Sequence, residues 1–160
     1  MSLARDIVVR LNDLIQLDHD AVAAYGCALA AVVDPAIRLD LEAFRTDHER
    51  HVADLNECVR TVGGVPRACS SAGDGVGPAV VPATGGTEGV LRALRAGAQL
   101  VSKAYDDALQ EWLPEEARDL VARHRDDERR HLAAIEGHLD RLRRAEPPRD
   151  ARPEPYRPQA

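Results

Sequence analysis

The sequence predicts an all-α protein: an antiparallel four-helix bundle made of two helical hairpins joined by a long crossover loop. Apolar residues recur at spacings of three and four in four segments, and no segment alternates convincingly with a period of two. Aromatic residues are only 3% of the 160 residues, which favours a core of Ala, Leu and Val over a β-sandwich. A hydrophobic fraction of 44% is sufficient for one domain with a buried core.

The first hairpin occupies the N-terminal part of the chain. One apolar stripe covers residues 7–32 and a second covers residues 37–62. Between them stand Asp34 and Pro35, a pair typical of a helix N-cap followed by proline at the first helical position. Because this connection is so short, the two helices are expected to be antiparallel neighbours.

The second hairpin follows the same pattern in the C-terminal part. Its apolar stripes cover residues 91–112 and 121–142. Pro114, with Glu115 and Glu116 directly after it, is typical of the start of the fourth helix.

Two segments lack any helical stripe. Residues 63–89 contain eight Gly and three Pro and are predicted to form the crossover that carries the chain along the bundle. Residues 146–160 contain five Pro and are predicted to be a disordered tail. The bundle domain is therefore expected to span residues 1–145.

The two hairpins look like copies of each other. Tyr25 and His51 recur 80 positions later as Tyr105 and His131. The same offset relates further identical pairs: Leu11 and Leu91, Leu14 and Leu94, Leu29 and Leu109, Arg38 and Arg118, Arg45 and Arg125, Asp47 and Asp127, Arg50 and Arg130. We interpret this as an internal repeat with a local two-fold relation between the halves.

Polar side chains interrupt the apolar stripes at inward positions. Asp18 lies on the inward series of helix 1, and helices 2 and 4 contribute His48, His51, Glu128 and His131; His124 also lies on the series of helix 4, and His138 lies at its edge. At a rise of about 1.5 Å per residue, the first five lie roughly 21–26 Å from the hairpin ends. They are therefore predicted to form one polar layer inside the bundle.

This layer has the composition of a metal site. Buried carboxylates and imidazoles are costly unless they are paired or ligated. Glu128 and His131 have the i, i+3 spacing with which bundle helices hold metals, and His48 and His51 repeat that spacing on helix 2. We predict that these four and Asp18 are metal ligands. The alternative is a metal-free hydrogen-bonded network.

Other polar residues near the layer leave alternatives open. Asp47 and Asp127 either orient the histidines of the layer or pair with arginines at the surface. His124 and His138 are interpreted as packed histidines rather than ligands. Tyr25 and Tyr105 are expected to pack inward with a satisfied hydroxyl.

Four segments carry a resemblance to a known family: LNDLIQLDHDAVAAY, DHERHVADL followed by VGGVP, KAYDDALQEWLPEEA, and RDDERRHL. Over residues 4–143 the chain resembles the ferritin-like superfamily, in particular rubrerythrin-type bundles and their poorly characterised bacterial relatives. The resemblance implies two irons held by carboxylates on helices 1 and 3 and by E-x-x-H motifs on helices 2 and 4. Its ligand positions on helices 1, 2 and 4 fall on Asp18, His48, His51, Glu128 and His131.

The sequence departs from that pattern at two positions. Ala98 stands where the helix-3 carboxylate is expected, and His48 stands where helix 2 is expected to supply a bridging Glu. The remaining donors suit one transition metal, or an atypical pair if His124, or Asp47 and Asp127, contribute. Three imidazoles shift the preference away from Mg and Ca and toward transition metals. The resemblance makes iron the first candidate, with Zn, Mn or Cu as alternatives.

We therefore expect a ferritin-like metal-binding protein with an iron-handling or oxidoreductase role; whether it is an enzyme stays open. The alternative, favoured by Ala98, is a non-catalytic, stress-associated or assembly-forming bundle with a degenerate site. A homodimer or higher homo-oligomer is the expected assembly. A net charge of −6 predicts no nucleic-acid partner, and short apolar runs predict no membrane partner. Three irregularly spaced Cys and an N-terminus without a signal-peptide core predict a cytoplasmic location.

Overall fold

A computed structural model describes residues 3–68 and 85–145, and it confirms the all-α bundle across these ranges. Its four helices are α1 (Leu3–Ala31), α2 (Pro35–Thr61), α3 (Gly86–Gln110) and α4 (Glu115–Ala145). Most of the predicted crossover, residues 69–84, and the predicted tail, residues 146–160, lie outside the described residues.

The first hairpin turns at the predicted N-cap. The Oδ1 atom of Asp34 accepts hydrogen bonds from the backbone N–H groups of Ala36 and Ile37, at 2.9 and 3.1 Å. Pro35 follows at the first helical position, where its missing N–H group costs nothing. Local chemistry therefore sets the start of α2.

The end of α2 depends on two glycines. Gly63 has φ 81°, a left-handed conformation that side chains disfavour, and the N–H group of Gly64 donates to the carbonyl of Val59 at 2.8 Å. A Cβ on Gly64 would lie 2.5 Å from Cγ2 of Val8 on α1. The chain can pass this close to α1 because position 64 has no side chain.

Each helix packs against two neighbours. α1 contacts α2 and α3, and α4 contacts α3 and α2. Across the α2–α4 interface, Asp40 is hydrogen-bonded to His138 and Asp54 to His124. Residue numbers therefore increase along α2 in the direction in which they decrease along α4. These two helices are therefore antiparallel, as the members of each hairpin are.

The core consists of two apolar clusters with the polar layer between them. One cluster contains residues from the turn of the first hairpin, such as Ile37 and Leu41, together with Leu91. The other contains residues from the opposite end, such as Leu11 and Val121. The two apolar clusters therefore hold the four helices together above and below the polar layer.

Two sequence expectations differ from the structure. Trp112, assigned to the apolar stripe of the third helix, is 59% exposed because α3 ends at Gln110 and Glu111 is extended. The third helix also begins at Gly86, inside the stretch 63–89 assigned to the crossover. Among the described helices, none combines the length and apolarity needed to cross a lipid bilayer.

Candidate metal centre

The five residues predicted to form a polar layer are all buried in the middle of the bundle. Asp18, His51, Glu128 and His131 are 0% exposed, and His48 is 1% exposed. The i, i+3 spacing places both histidines of α2 on one face, and it does the same for the Glu and His of α4. The structure therefore brings together side chains from three helices: α1, α2 and α4.

Four of the five form a compact group of donors. Asp18, His48, His51 and Glu128 each offer one ligand atom, and these atoms all lie within 4.8 Å of one another. The Nδ1 atoms of His48 and His51 are each 3.5 Å from Oε1 of Glu128. His51 Nδ1 is also 3.5 Å from Oδ1 of Asp18.

His131 is buried beside this group but is not part of it. Its Nδ1 atom lies 3.9 Å from Oε1 of Glu128. The five predicted residues thus share one layer, while the closest cluster of donor atoms contains four of them.

Several atoms of the layer are buried without a hydrogen-bond partner among the described residues. They are Nδ1 of His51, Nδ1 of His131 and both carboxylate oxygens of Glu128. A buried polar atom without a partner costs about 1–3 kcal/mol, and more if it is charged. These atoms lie close together, so one cation could satisfy several of them.

Carboxylates at the edge of the layer orient two of the histidines. His51 Nε2 lies 3.0 Å from Oδ2 of Asp127, and His131 Nε2 lies 2.9 Å from Oδ2 of Asp47. Since an ionised carboxylate only accepts, each Nε2 carries the hydrogen and donates it. In the neutral ring, this leaves the Nδ1 lone pair facing the interior, as in many metal sites.

The same two aspartates also pair with arginine. Arg50 donates to Oδ1 of Asp47 and to Oδ2 of Asp127, both at 2.8 Å, and Arg130 also donates to Asp127. The sequence offered orientation of histidine and surface ion pairing as alternatives. The structure has both: Asp47 uses a separate oxygen for Arg50 and for His131, whereas Oδ2 of Asp127 accepts from both Arg50 and His51.

Asp18 is the best-partnered carboxylate of the layer. The Oη of Tyr105 donates to its Oδ2 at 2.7 Å, and Nδ1 of His48 lies 2.7 Å from its Oδ1. Burial alone would raise the pKa of Asp18, but the neighbouring His48 and His51 outweigh burial and lower its pKa to about 2. Asp18 is therefore ionised at neutral pH.

The other ionisable groups of the layer respond differently. Burial raises the pKa of Glu128 to about 7, and the nearby histidines offset this only in part. Burial lowers the pKa of His131 to about 4, so this imidazole is neutral at pH 7. For His51, the two neighbouring carboxylates and Asp127 outweigh burial and raise the pKa.

The surroundings of His51 and His131 are unequal. The ring of His124 stacks on His51, with centroids 3.9 Å apart and planes at 20°. At the matching place on the other side, the ring of Phe44 lies 4.3 Å from that of His131. His124 is buried and bonded through Nε2 to Asp54, at 3.2 Å, which agrees with its interpretation as a packed histidine.

Two partners of buried histidines were missed from the sequence. Asp54 bonds His124 and Asp40 bonds His138, and both aspartates lie seven residues from Asp47 along α2. Residues seven apart on a helix lie on the same face, so the spacing of Asp40, Asp47 and Asp54 predicts a row of carboxylates along one side of α2. It was missed because an isolated Asp on a helix is usually a solvated charge.

Comparisons with known proteins identify the family of the chain. The family model described as "Domain of unknown function (DUF2383)" matches residues 6–111. No curated protein matches the sequence.

Two solved structures share the architecture. A two-domain protein from Anabaena variabilis ATCC 29413, with DJ-1/ThiJ/PfpI-like and ferritin-like domains, aligns with a TM-score of 0.76 at 14% identity. The alignment covers 99% of this chain but 42% of that protein. A structure titled as ferritin-like, diiron-carboxylate proteins, from Bacillus anthracis str. Ames, aligns with a TM-score of 0.59 at 19% identity. This alignment covers 90% of the present chain and 98% of the Bacillus anthracis chain. The bundle therefore has the ferritin-like fold.

Proposed function

The chain belongs to the DUF2383 family, and we propose that it binds a transition metal ion in the middle of its ferritin-like bundle, with iron as the first candidate. The residues that surround the ion are Asp18, His48, His51, Glu128 and His131. This places the proposed site at the level where the two apolar clusters of the core meet.

The observation that carries the proposal is the convergence of buried donor atoms without hydrogen-bond partners. Tetrahedral ligands at 2.0–2.2 Å from a metal lie about 3.3–3.6 Å from one another. Nδ1 of His51 is 3.5 Å from Oε1 of Glu128 and 3.5 Å from Oδ1 of Asp18, within that range. These donor atoms are already close together with all the helices intact, so binding an ion requires no change of the backbone.

The donor set favours a first-row transition metal. Three imidazoles and two carboxylates suit Fe, Zn, Mn or Cu, whereas Mg and Ca prefer sites made of oxygen atoms alone. Iron is the first candidate because the Bacillus anthracis structure of the same fold is titled as diiron-carboxylate. Bound iron would supply one-electron redox chemistry, which supports an iron-handling or oxidoreductase role.

Neighbouring residues orient the ligands for that ion. Asp127 and Asp47 fix the rings of His51 and His131 through Nε2, so the rings need no reorientation to bind. Tyr105 holds the carboxylate of Asp18. Such preorganisation lowers the entropy that metal binding would cost.

We also propose that the two hairpins are a duplicated unit. Arg38 donates to the carbonyl of Leu29, and Arg118 donates to the carbonyl of Leu109 in the matching place 80 positions later. The crossed bonds of the layer, from His51 to Asp127 and from His131 to Asp47, are related by the same offset.

Metal analysis tests the proposal. Protein expressed in iron-supplemented medium and purified without a His-tag should carry a transition metal, with iron predominant, in elemental analysis by mass spectrometry. The double variant His51→Ala/His131→Ala should lose it. His19→Ala is the matched control, because His19 lies outside the layer, and it should retain the metal.

The alternative function has its own support. Ala98 lies in an apolar cluster beside the layer, at the position where the ferritin-like pattern has a carboxylate. An alanine in place of that ligand is typical of a degenerate metal site. A bundle of this kind would carry no metal after supplementation with iron, zinc, manganese or copper. That result would replace the metal-binding proposal with a non-catalytic one.

A further inference from the structure

We infer that the centre holds a single metal ion, seated against Asp18 and His51 rather than midway between the two hairpins. The inference rests on the proposed metal binding and concerns how many ions bind and where. Its basis is an asymmetry between residues 80 positions apart.

The two halves of the layer differ in polarity. Around His51 lie Asp18, which is 0% exposed, and the stacked ring of His124. The positions 80 residues from these two carry Ala98 and Phe44.

On the side of His131, the positions equivalent to Asp18 and His124 are therefore apolar. The ring of Phe44 lies against His131, and Phe44 and Ala98 belong to the same apolar cluster. One half offers an additional carboxylate to an ion, while the other half offers an aromatic ring and a methyl group.

The donor distances show the same asymmetry. The group within 4.8 Å consists of Asp18, His48, His51 and Glu128, and it does not include His131. His131 Nδ1 is 3.9 Å from Glu128, whereas His51 Nδ1 is 3.5 Å from both Glu128 and Asp18. The closest group of donor atoms therefore lies on the side of Asp18 and His51.

Charge limits the number of ions. Bundle sites for two irons use four carboxylates, two of them in Glu-x-x-His motifs. Here Asp18 and Glu128 are the carboxylates within the layer, and one divalent ion would balance them. A second divalent ion would leave two positive charges uncompensated in the interior, which is strongly unfavourable. The outer carboxylates Asp47 and Asp127 already face Arg50.

The repeated histidines supply a matched pair of variants for the test. His51→Ala and His131→Ala remove the same side chain from equivalent positions. Loss of a residue that only orients a ligand typically weakens metal affinity about 10–100-fold. We expect His51→Ala to weaken Co²⁺ affinity more than about 100-fold, and His131→Ala to stay within about 100-fold and still bind one ion.

The measurement is a titration of metal-free protein with Co²⁺ under anaerobic conditions. Native mass spectrometry counts the ions, and the visible Co²⁺ absorption bands report the ligand field. Far-UV circular dichroism checks the fold of each variant. Should His51→Ala fail to fold, Asp18→Asn tests the same side of the layer with a side chain of equal size. It is expected to weaken Co²⁺ affinity more than His131→Ala does.

The outcomes separate the inference from the proposed function. One ion per chain, with unequal effects of the two His variants, supports the inference. Two ions per chain would overturn it while leaving metal binding in place. Equal losses in His51→Ala and His131→Ala would overturn the off-centre position. If Co²⁺, Fe²⁺ and Zn²⁺ all fail to bind the wild type, both the inference and the proposed function are wrong.

Discussion

Glu128 should make the metal-free protein less stable as the pH rises through neutrality. Burial raises the pKa of this carboxyl from 4.5 to about 7, only partly offset by His48 and His51. At about 1.36 kcal/mol per pKa unit, its ionisation costs about 3 kcal/mol more in the folded than in the unfolded chain. The folded state holds the proton more tightly, so the stability is fully present below about pH 4.5 and is lost as the pH rises through about 7.

The variant Glu128→Gln removes this dependence while keeping the size of the side chain. From the two pKa values, the difference in unfolding free energy between the wild type and the variant should change by about 2.5 kcal/mol between about pH 5 and about pH 8. The wild type is the one that loses stability at the higher pH. For a chain of this length, that corresponds to a change of about 5–10 °C in the difference between the two melting temperatures.

Urea unfolding followed by circular dichroism, in EDTA, measures the effect. Taking the difference between the two proteins cancels the ionisation of groups that do not interact with Glu128, including His124, whose pKa burial lowers to about 4. Glu136→Gln is the matched control, since Glu136 is exposed on the same helix, and it should follow the wild type at every pH. Parallel stability curves for the wild type and Glu128→Gln would refute the reasoning.

Three further predictions concern the same layer and its supports. Tyr105→Phe removes the donor 2.7 Å from Asp18 and should lower the unfolding free energy by about 1–3 kcal/mol in urea, more than Tyr25→Phe does; an equal effect of the two would contradict the assigned hydrogen bond. Gly64→Ala places a Cβ within 2.5 Å of a valine methyl carbon on α1 and should destabilise by about 1–3 kcal/mol, so an unchanged melting temperature would argue against this close approach. Co²⁺ affinity should rise between about pH 6 and about pH 8, because Glu128 must ionise to bind; calorimetric titrations showing no pH dependence would contradict this.

The depth of the polar layer was predictable because it follows from local rules. Helical rise fixes how far Asp18, His48 and Glu128 lie from their hairpin turns, and Asp34 fixes where α2 begins. Short connections then force antiparallel pairs. Such quantities depend on a few neighbouring residues, so the sequence alone determines them.

The division within the layer was not predictable in the same way. His131 was expected to be equivalent to the other donors, yet it lies outside the closest group. Its position depends on how α2 and α4 cross and on which ring packs against it, and both are tertiary features. The exposure of Trp112 has a similar origin, since it depends on where α3 stops rather than on the apolar period.

The origin of the donors determines what an ion could stabilise. The proposed ligands come from α1, α2 and α4, and α3 contributes Tyr105, which contacts the layer through Asp18. An ion would therefore join three helices directly and reach α3 through one hydrogen bond. Because that bond ends on a carboxylate of the closest donor group, Tyr105→Phe should reduce the stabilisation of α3 by metal more than that of α2. Amide hydrogen exchange, with and without Co²⁺, compares the protection of the two helices. A similar metal-dependent gain on α3 in the wild type and in Tyr105→Phe would mean that α3 is coupled to the centre through its apolar packing instead.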